Sequence, residues 1–149
     1  MKESGRAKSI GVSNFTIDNL RRIIDETGIV PALNQVELHP RFQQIELRAF
    51  HSAHGIHTES WSPLGRGKLL DDPILTEIAA KHGRSPAQII IRWHLDSGLV
   101  VIPKSVNPAR LRENIDALDL RLDAGDLARI ASLDSPSGRI GPDPATAAF

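Results

Sequence analysis

Residues 99–114 read Leu-Val-Val-Ile-Pro-Lys-Ser-Val-Asn-Pro-Ala-Arg-Leu-Arg-Glu-Asn, and they contain one complete structural unit. Leu99 to Ile102 is an unbroken apolar run, the pattern of a strand covered on both faces. Lys104 and Ser105 follow directly. Asn107-Pro108 then has the form of a helix start, because Asn accepts from exposed amides as an N-cap and Pro is tolerated in the first turn. Leu111 and Ile115 continue inside that helix. The unit is therefore a strand, a polar strand end and a capped helix.

The same order recurs upstream. Lys8 to Val12 predicts a short strand, Ser13-Asn14 a polar turn, and Thr16 the N-cap of a helix with Ile17, Leu20, Ile23 and Ile24 at helical spacing. Gly28 stops it. Leu33 to Leu38 predicts a second strand, broken by His39-Pro40, and the next helix carries Leu47, Phe50 and His54 before Gly55. Ile56 to Trp61 predicts a third strand running into Ser62-Pro63-Leu64-Gly65-Arg66-Gly67, a loop too irregular for regular structure and a candidate for ligand contact. Two helices follow, one from Asp72-Pro73 to Gly83 and one from Ser85-Pro86 to Gly98. In the second, Gln88 completes a capping box and Ile89, Ile90 and Trp93 form a buried stripe. After the fourth strand and its helix, a last helix runs from about Asp123 to Leu133. The tail from Asp134 to Phe149, rich in Pro, Gly, Ser and Ala, is expected to lie over the surface.

Strand and helix alternate throughout, which means an α/β fold with a parallel sheet and outer helices. The units have the size of barrel or doubly wound βα repeats, roughly 30 residues or more each. No G-x-G-x-x-G follows the first strand, which counts against the dinucleotide-binding doubly wound alternative.

Composition narrows the function. The chain has 149 residues, 18 basic and 18 acidic, with 40% apolar and 24% charged side chains, so it can build a core as one domain or a large piece of one. Zero net charge argues against nucleic-acid or acidic-membrane partners. The absence of Cys excludes disulfides, zinc–thiolate sites and cysteine catalysis. No apolar stretch approaches the ~20 residues that span a bilayer. Met1 to Gly5 also lacks a secretory core, so a soluble cytoplasmic protein is the expectation.

Chemistry-bearing residues gather at the strand ends: Ser13 and Asn14, Asn34 and Gln35, Trp61 and Ser62, Lys104 and Ser105. In a parallel sheet these carboxyl ends share one face, where α/β folds bind ligands. At the fourth, Lys104, Ser105, Arg110 and Arg112 surround a helix start whose free amides would attract phosphate. An exposed, merely solvated helix is the competing reading, and spacing does not choose between them. Trp61 either stacks on a flat ring or plugs the top of the fold. His51, His54 and His57 have a metal-like spacing, but Gly55 separates them and no carboxylate or Cys completes a set, so no metal site is expected. His39, His94 and Trp93 are read as structural.

Four stretches resemble the aldo-keto reductase family: Ser9 to Phe15 (SIGVSNF), Asn34 to Pro40 (NQVELHP), Ser60 to Gly67 (SWSPLGRG) and Ile102 to Asn114 (IPKSVNPARLREN). The tail from Gly138 to Pro144 (GRIGPDP) is similar to the family's C-terminal segment, and the wording is closest to bacterial members that act on diketo-gulonate or similar carbonyls. The resemblance implies a TIM barrel that reduces aldehydes or ketones with NADPH. It implies that Ser13, Asn14 and Gln35 hold the nicotinamide carboxamide and that Trp61 stacks on the ring. Ser62 and Leu64 would contact the pyrophosphate. Lys104, Ser105 and Arg110 would grip the 2′-phosphate of NADP, with Glu113 and Asn114 at the adenine.

The family's Asp, Tyr, Lys and His tetrad lies on the first half of the barrel, and this sequence has no Tyr. Its first strand matches the family's fifth. The resemblance thus implies that residues 1–149 are a partial reductase domain, the C-terminal half of a TIM (β/α)8 barrel with four parallel strands. MKESG would be the end of a preceding helix, as in a truncated product, a misplaced start or a fragment. Such a chain carries most of the NADPH site and no catalytic residue, and is expected to be inactive alone toward the small carbonyl of the intact parent. The alternative is a non-catalytic NADP-binding half-barrel module or a remnant. Open sheet edges invite self-association.

Overall fold

In a computed structural model, which describes residues 4–146, parallel strands and outer helices alternate. The order is β1 (Val12–Ser13), α1 (Ile17–Thr27), β2 (Leu33–Glu37), α2 (Ile45–His54), β3 (His57–Trp61), α3 (Pro73–His82), α4 (Pro86–Asp96), β4 (Val100–Val101), α5 (Pro108–Asp116) and α6 (Ala124–Ala131). The strands form one sheet in sequence order, every neighbouring pair parallel. The reading of MKESG falls mainly on residues 1–3, outside the described residues, although Gly5 does take a left-handed φ of 69°. Among the described residues, no helix is long and apolar enough to cross a membrane.

Local chemistry sets most element boundaries. Thr16, Asp72, Ser85, Asn107 and Asp123 each accept backbone amides at a helix start, and Thr16, Ser85 and Asp123 complete capping boxes. Gly28, Gly55 and Gly83 end their helices at positive φ, which Gly adopts without the steric cost of a Cβ. The helix α2 is the exception at its start: Gln44 is left-handed (φ 51°), makes no cap bond, and donates from Nε2 to Glu37 O instead.

The sheet has two unlike faces, as period-two alternation requires. Toward the helices, Val36, Leu38, Leu20, Leu47, Ile89, Ile90 and Trp93 make a contiguous core. Asn34 belongs to this side. Its Nδ2 donates to His51 Nε2, whose ring bonds Thr58 Oγ1 through Nδ1 at 2.8 Å. Asn34 also clasps the Phe15 amide and carbonyl. On the opposite face Gln35 Nε2 donates to Glu59 on the neighbouring strand.

Two expectations are corrected. The fourth strand is not covered on both sides: Val100 is 39% and Ile102 45% exposed, because β4 is an edge strand with β3 on one side only. Both β1 and β4 are also shorter than their apolar runs suggest, since each extends only as far as a neighbouring strand runs within hydrogen-bonding reach. The tail lies over the surface as expected, none of its described residues being buried, but it is pinned there by hydrogen bonds. Ser135 donates to the Arg41 carbonyl, Asp134 accepts from Gln43 N, and Ile140 and Gly141 donate to Glu37. Buried acceptors on β2 and its loop draw the tail back across the sheet's carboxyl end.

Candidate functional site

The carboxyl ends of β1, β2 and β3 bring four of the predicted residues into direct contact. Ser13 pairs in register with Gln35 and donates from Oγ to its carbonyl at 3.2 Å. Asn14 turns left-handed at φ 59°, a conformation Asn tolerates better than most side chains, and donates its amide to the same Gln35 carbonyl at 2.8 Å. That turn aims its carboxamide across the sheet, where Oδ1 accepts the indole Nε1–H of Trp61 at 2.8 Å. Trp61 is half-buried there.

The loop after β3 is tightly turned. Ser62 (φ 50°) and Arg66 (φ 55°) are both left-handed, Ser62 O accepts from Gly65 N, and Leu64 O accepts from Gly67 N. Gly65 is buried here, and a Cβ on it would lie 2.7 Å from Leu69. Close packing therefore holds Ser62 and half-buried Leu64 next to Trp61.

A second group lies beyond β4. Lys104 and Arg110 are exposed and have no ion pair among the described residues. Arg110, Glu113 and Asn114 share a face of α5 by their i, i+3, i+4 spacing. Glu113 is exposed and Asn114 half-buried, and the Glu113 carbonyl accepts from Gln88 Nε2. One expectation changes: the start of α5 does not offer free amides. Asn107 Oδ1 already accepts from Ala109 N (2.9 Å) and Arg110 N (3.4 Å), Pro108 has none, and Ser105 Oγ accepts from Asn107 N. Any anion here would be held by the Lys104 and Arg110 side chains. No hydrogen bond among the described residues joins this group to Trp61 or Asn14; parallel pairing of β3 with β4 puts both on the same end of the sheet. Asn34, at a strand position adjacent to Gln35, points to the helix side and takes no part.

The donor set fits a dinucleotide phosphate. Unpaired cations suit a phosphate, and an anchored indole beside a carboxamide suits a flat amide-bearing ring. Two acids escape a reading of the sequence alone. Glu59 accepts from Gln35, and Glu37, 1% exposed, holds the tail. Alternation along N-Q-V-E and T-E-S-W is the available signal, since it puts Gln35, Glu37, Glu59 and Trp61 on one face.

The histidines are structural in form. Burial pushes His51 down to about 4, and burial likewise takes His94, held by the Ile90 carbonyl, to about 4. His57 is exposed and His54 stacks on Phe50. His39 Nδ1 and Ser60 Oγ are buried without a hydrogen-bond partner among the described residues. A groove of about 790 Å³ between α1, α2 and residues 134–136 takes in none of the predicted site residues.

Known proteins match along the whole chain. The pattern of the aldo/keto reductase family covers residues 1–135. Methylglyoxal reductase DkgA of Escherichia coli (strain K12) is 55% identical over 146 residues, 97% of this chain and 53% of that protein. An aldo-keto reductase of Mycolicibacterium smegmatis is 54% identical over 149 residues, 100% of this chain and 54% of that protein. The crystal structure of apo Gox0644 superposes with a TM-score of 0.97 at 59% identity, over 99% of this chain and 55% of its own. A Gox0644 mutant of the same similarity has been solved in complex with NADPH. The chain spans about half the length of the curated relatives it matches.

Proposed function

The chain belongs to the aldo/keto reductase family, and on that premise we propose that residues 1–149 form the NADPH-holding part of a carbonyl-reductase barrel. The observation that supports this most is the Asn14–Trp61 contact, a pinned indole on a carboxamide that is itself seated on the Gln35 backbone carbonyl, at one end of three adjacent strands. In this reading Ser13, Asn14 and Gln35 orient the nicotinamide carboxamide and Trp61 stacks on its ring. Ser62 and Leu64 line the pyrophosphate. Lys104, Ser105 and Arg110 bind the 2′-phosphate, while Glu113 and Asn114 flank the adenine.

NADPH bound there supplies a hydride to the carbon of a small aldehyde or ketone. The relative named for methylglyoxal makes that class the one to assay. Reduction also needs a proton on the carbonyl oxygen, and the Tyr that gives it in this family is not among these 149 residues. The chain alone therefore holds cofactor without turnover. A cytoplasmic setting and self-association through the edges of β1 and β4 belong to the same proposal, supported by the balanced charge and by exposed Val100 and Ile102.

Titration of the chain with NADPH, followed by cofactor fluorescence, tests the reading. Saturable binding is expected, with Arg110→Ala weakening NADPH about tenfold or more and leaving NADH unaffected, because only NADPH carries the 2′-phosphate. An Arg110→Ala chain that binds NADPH as tightly as the unaltered one sinks the phosphate assignment. Aldehyde-dependent NADPH oxidation by the pure chain would overturn the claim that its proton donor is missing.

A further inference from the structure

We propose that Glu37 is a positioning residue for Trp61: its buried carboxylate latches the tail against the free edge of the indole and so fixes the ring's orientation. Glu37 and Trp61 are register partners on β2 and β3, so the two side chains stand side by side on one face of the sheet. The carboxylate side chain has 0% exposure. Its Oε1 accepts the Ile140 amide at 2.5 Å and the His39 Nε2–H at 3.2 Å, and its Oε2 accepts the Gly141 amide at 2.8 Å. Two successive tail amides thus meet the two oxygens of one carboxylate.

Burying a carboxylate is unfavourable unless donors surround it. Donors do surround it: His39 supplies one from just past the end of β2 and the tail supplies the other two. The tail's approach is close: a Cβ on Gly141 would lie 2.5 Å from Trp61 Cη2 and 2.9 Å from Glu37 Oε2. Only a glycine lets the backbone reach both. Upstream, a Cβ on Gly138 would lie 1.7 Å from the Arg41 carbonyl oxygen, so the tail is seated tightly there too.

Trp61 is consequently held at two points. Asn14 fixes the pyrrole edge through Nε1–H, and Gly141 backs the six-membered ring. One contact alone would leave the plane free to swing about the other. The geometry of Glu37, Gly141 and Trp61 stands independently of any ligand. Its consequence for NADPH rests on the function proposed above, since a ring that swings loses a stacking partner's contact area.

The test uses the full chain and three readouts: amide exchange at Ile140 and Gly141, emission of Trp61 obtained by difference against Trp61→Phe, and NADPH titration. Glu37→Gln keeps the side chain's size but turns one oxygen into a donor facing either the Ile140 or the Gly141 amide. It is expected to speed exchange at one or both of Ile140 and Gly141 about tenfold or more and to shift Trp61 emission to the red, leaving exchange along β2 and β3 unchanged. Gly141→Ala displaces the tail with Glu37 intact and is expected to give the same red shift. It also decides the matter should Glu37→Gln fail to fold. Both variants are expected to bind NADPH about tenfold more weakly. Unchanged exchange at both Ile140 and Gly141 in Glu37→Gln, or unaltered Trp61 emission in Gly141→Ala, overturns the proposal. A wild-type chain that takes up no NADPH overturns the cofactor reading, while exchange and emission still decide the positioning role.

Discussion

His51 and His94 are both tied inside the protein, His51 between Asn34 and Thr58, His94 by its Nδ1–H donating to the Ile90 carbonyl at 2.8 Å. Both are held down to about 4 from an ordinary 6.5, principally by burial. Between those values the unfolded chain binds protons that the folded chain refuses. Stability is therefore intact above about pH 6.5 and falls as pH drops toward 4, by up to ~1.4 kcal/mol per pH unit for each ring. Urea unfolding at successive pH values is expected to show this decline, and His51→Asn to make it shallower; a flat profile between pH 6.5 and 4 would contradict it. Asp126 acts in a lower window. Burial alone would raise it, but hydrogen bonds from Lys81 and His82 outweigh that and hold it at about 2, so its contribution is lost only as pH falls below the usual carboxylate range.

At the scale of elements, caps carry much of the definition. Asp72 is the most committed of them: Oδ1 accepts from Ile74 N and Leu75 N, while Oδ2 accepts from Arg41 at 2.7 Å. Asp72→Ala removes the cap of α3 and the tether of the β2–α2 loop together. A loss of about 1–3 kcal/mol in chemical denaturation is expected, with Asp72→Asn intermediate because it keeps the cap and loses the charge. Such caps and the glycine stops are legible in the sequence because each is decided within about four residues. The strand-end site is legible for a related reason: once the strands are parallel, Ser13, Gln35 and Trp61 must share an end. What escapes is non-local. Glu37 meets Ile140 103 residues away, and no pattern around either residue announces the other. Asn34 sits beside Gln35 along the chain yet on the other face of the sheet, so proximity misleads where alternation does not. Val100 misleads because an edge strand and a central one have the same apolar spelling.

Taken whole, the molecule buries one sheet face well and leaves one flank unfinished. Along β4, α5 and the turn after it, Ile102, Val106, Leu111, Ile115 and Leu118 are 45%, 83%, 44%, 65% and 58% exposed, and α5 has no buried residue. Contiguous apolar surface beside an unpaired strand edge favours association. Sedimentation velocity is expected to show mass rising with concentration, and Leu111→Lys with Ile115→Lys to suppress the rise. A monomer at every concentration would remove self-association from the proposal. The local caps at the helix starts have another consequence, in the order of events during folding. Five of the helices satisfy their first amides from residues at most three positions away, so their starts are specified locally, but at 8 to 11 residues they draw most of their stability from packing on the sheet. Strand pairing such as Ser60 with Val101 must wait for a long loop carrying two helices to close. Helix starts and sheet are thus expected to consolidate together, and the contacts of Glu37 with Ile140 and Gly141, 103 and 104 residues away, close the longest hydrogen-bonded loops among the described residues.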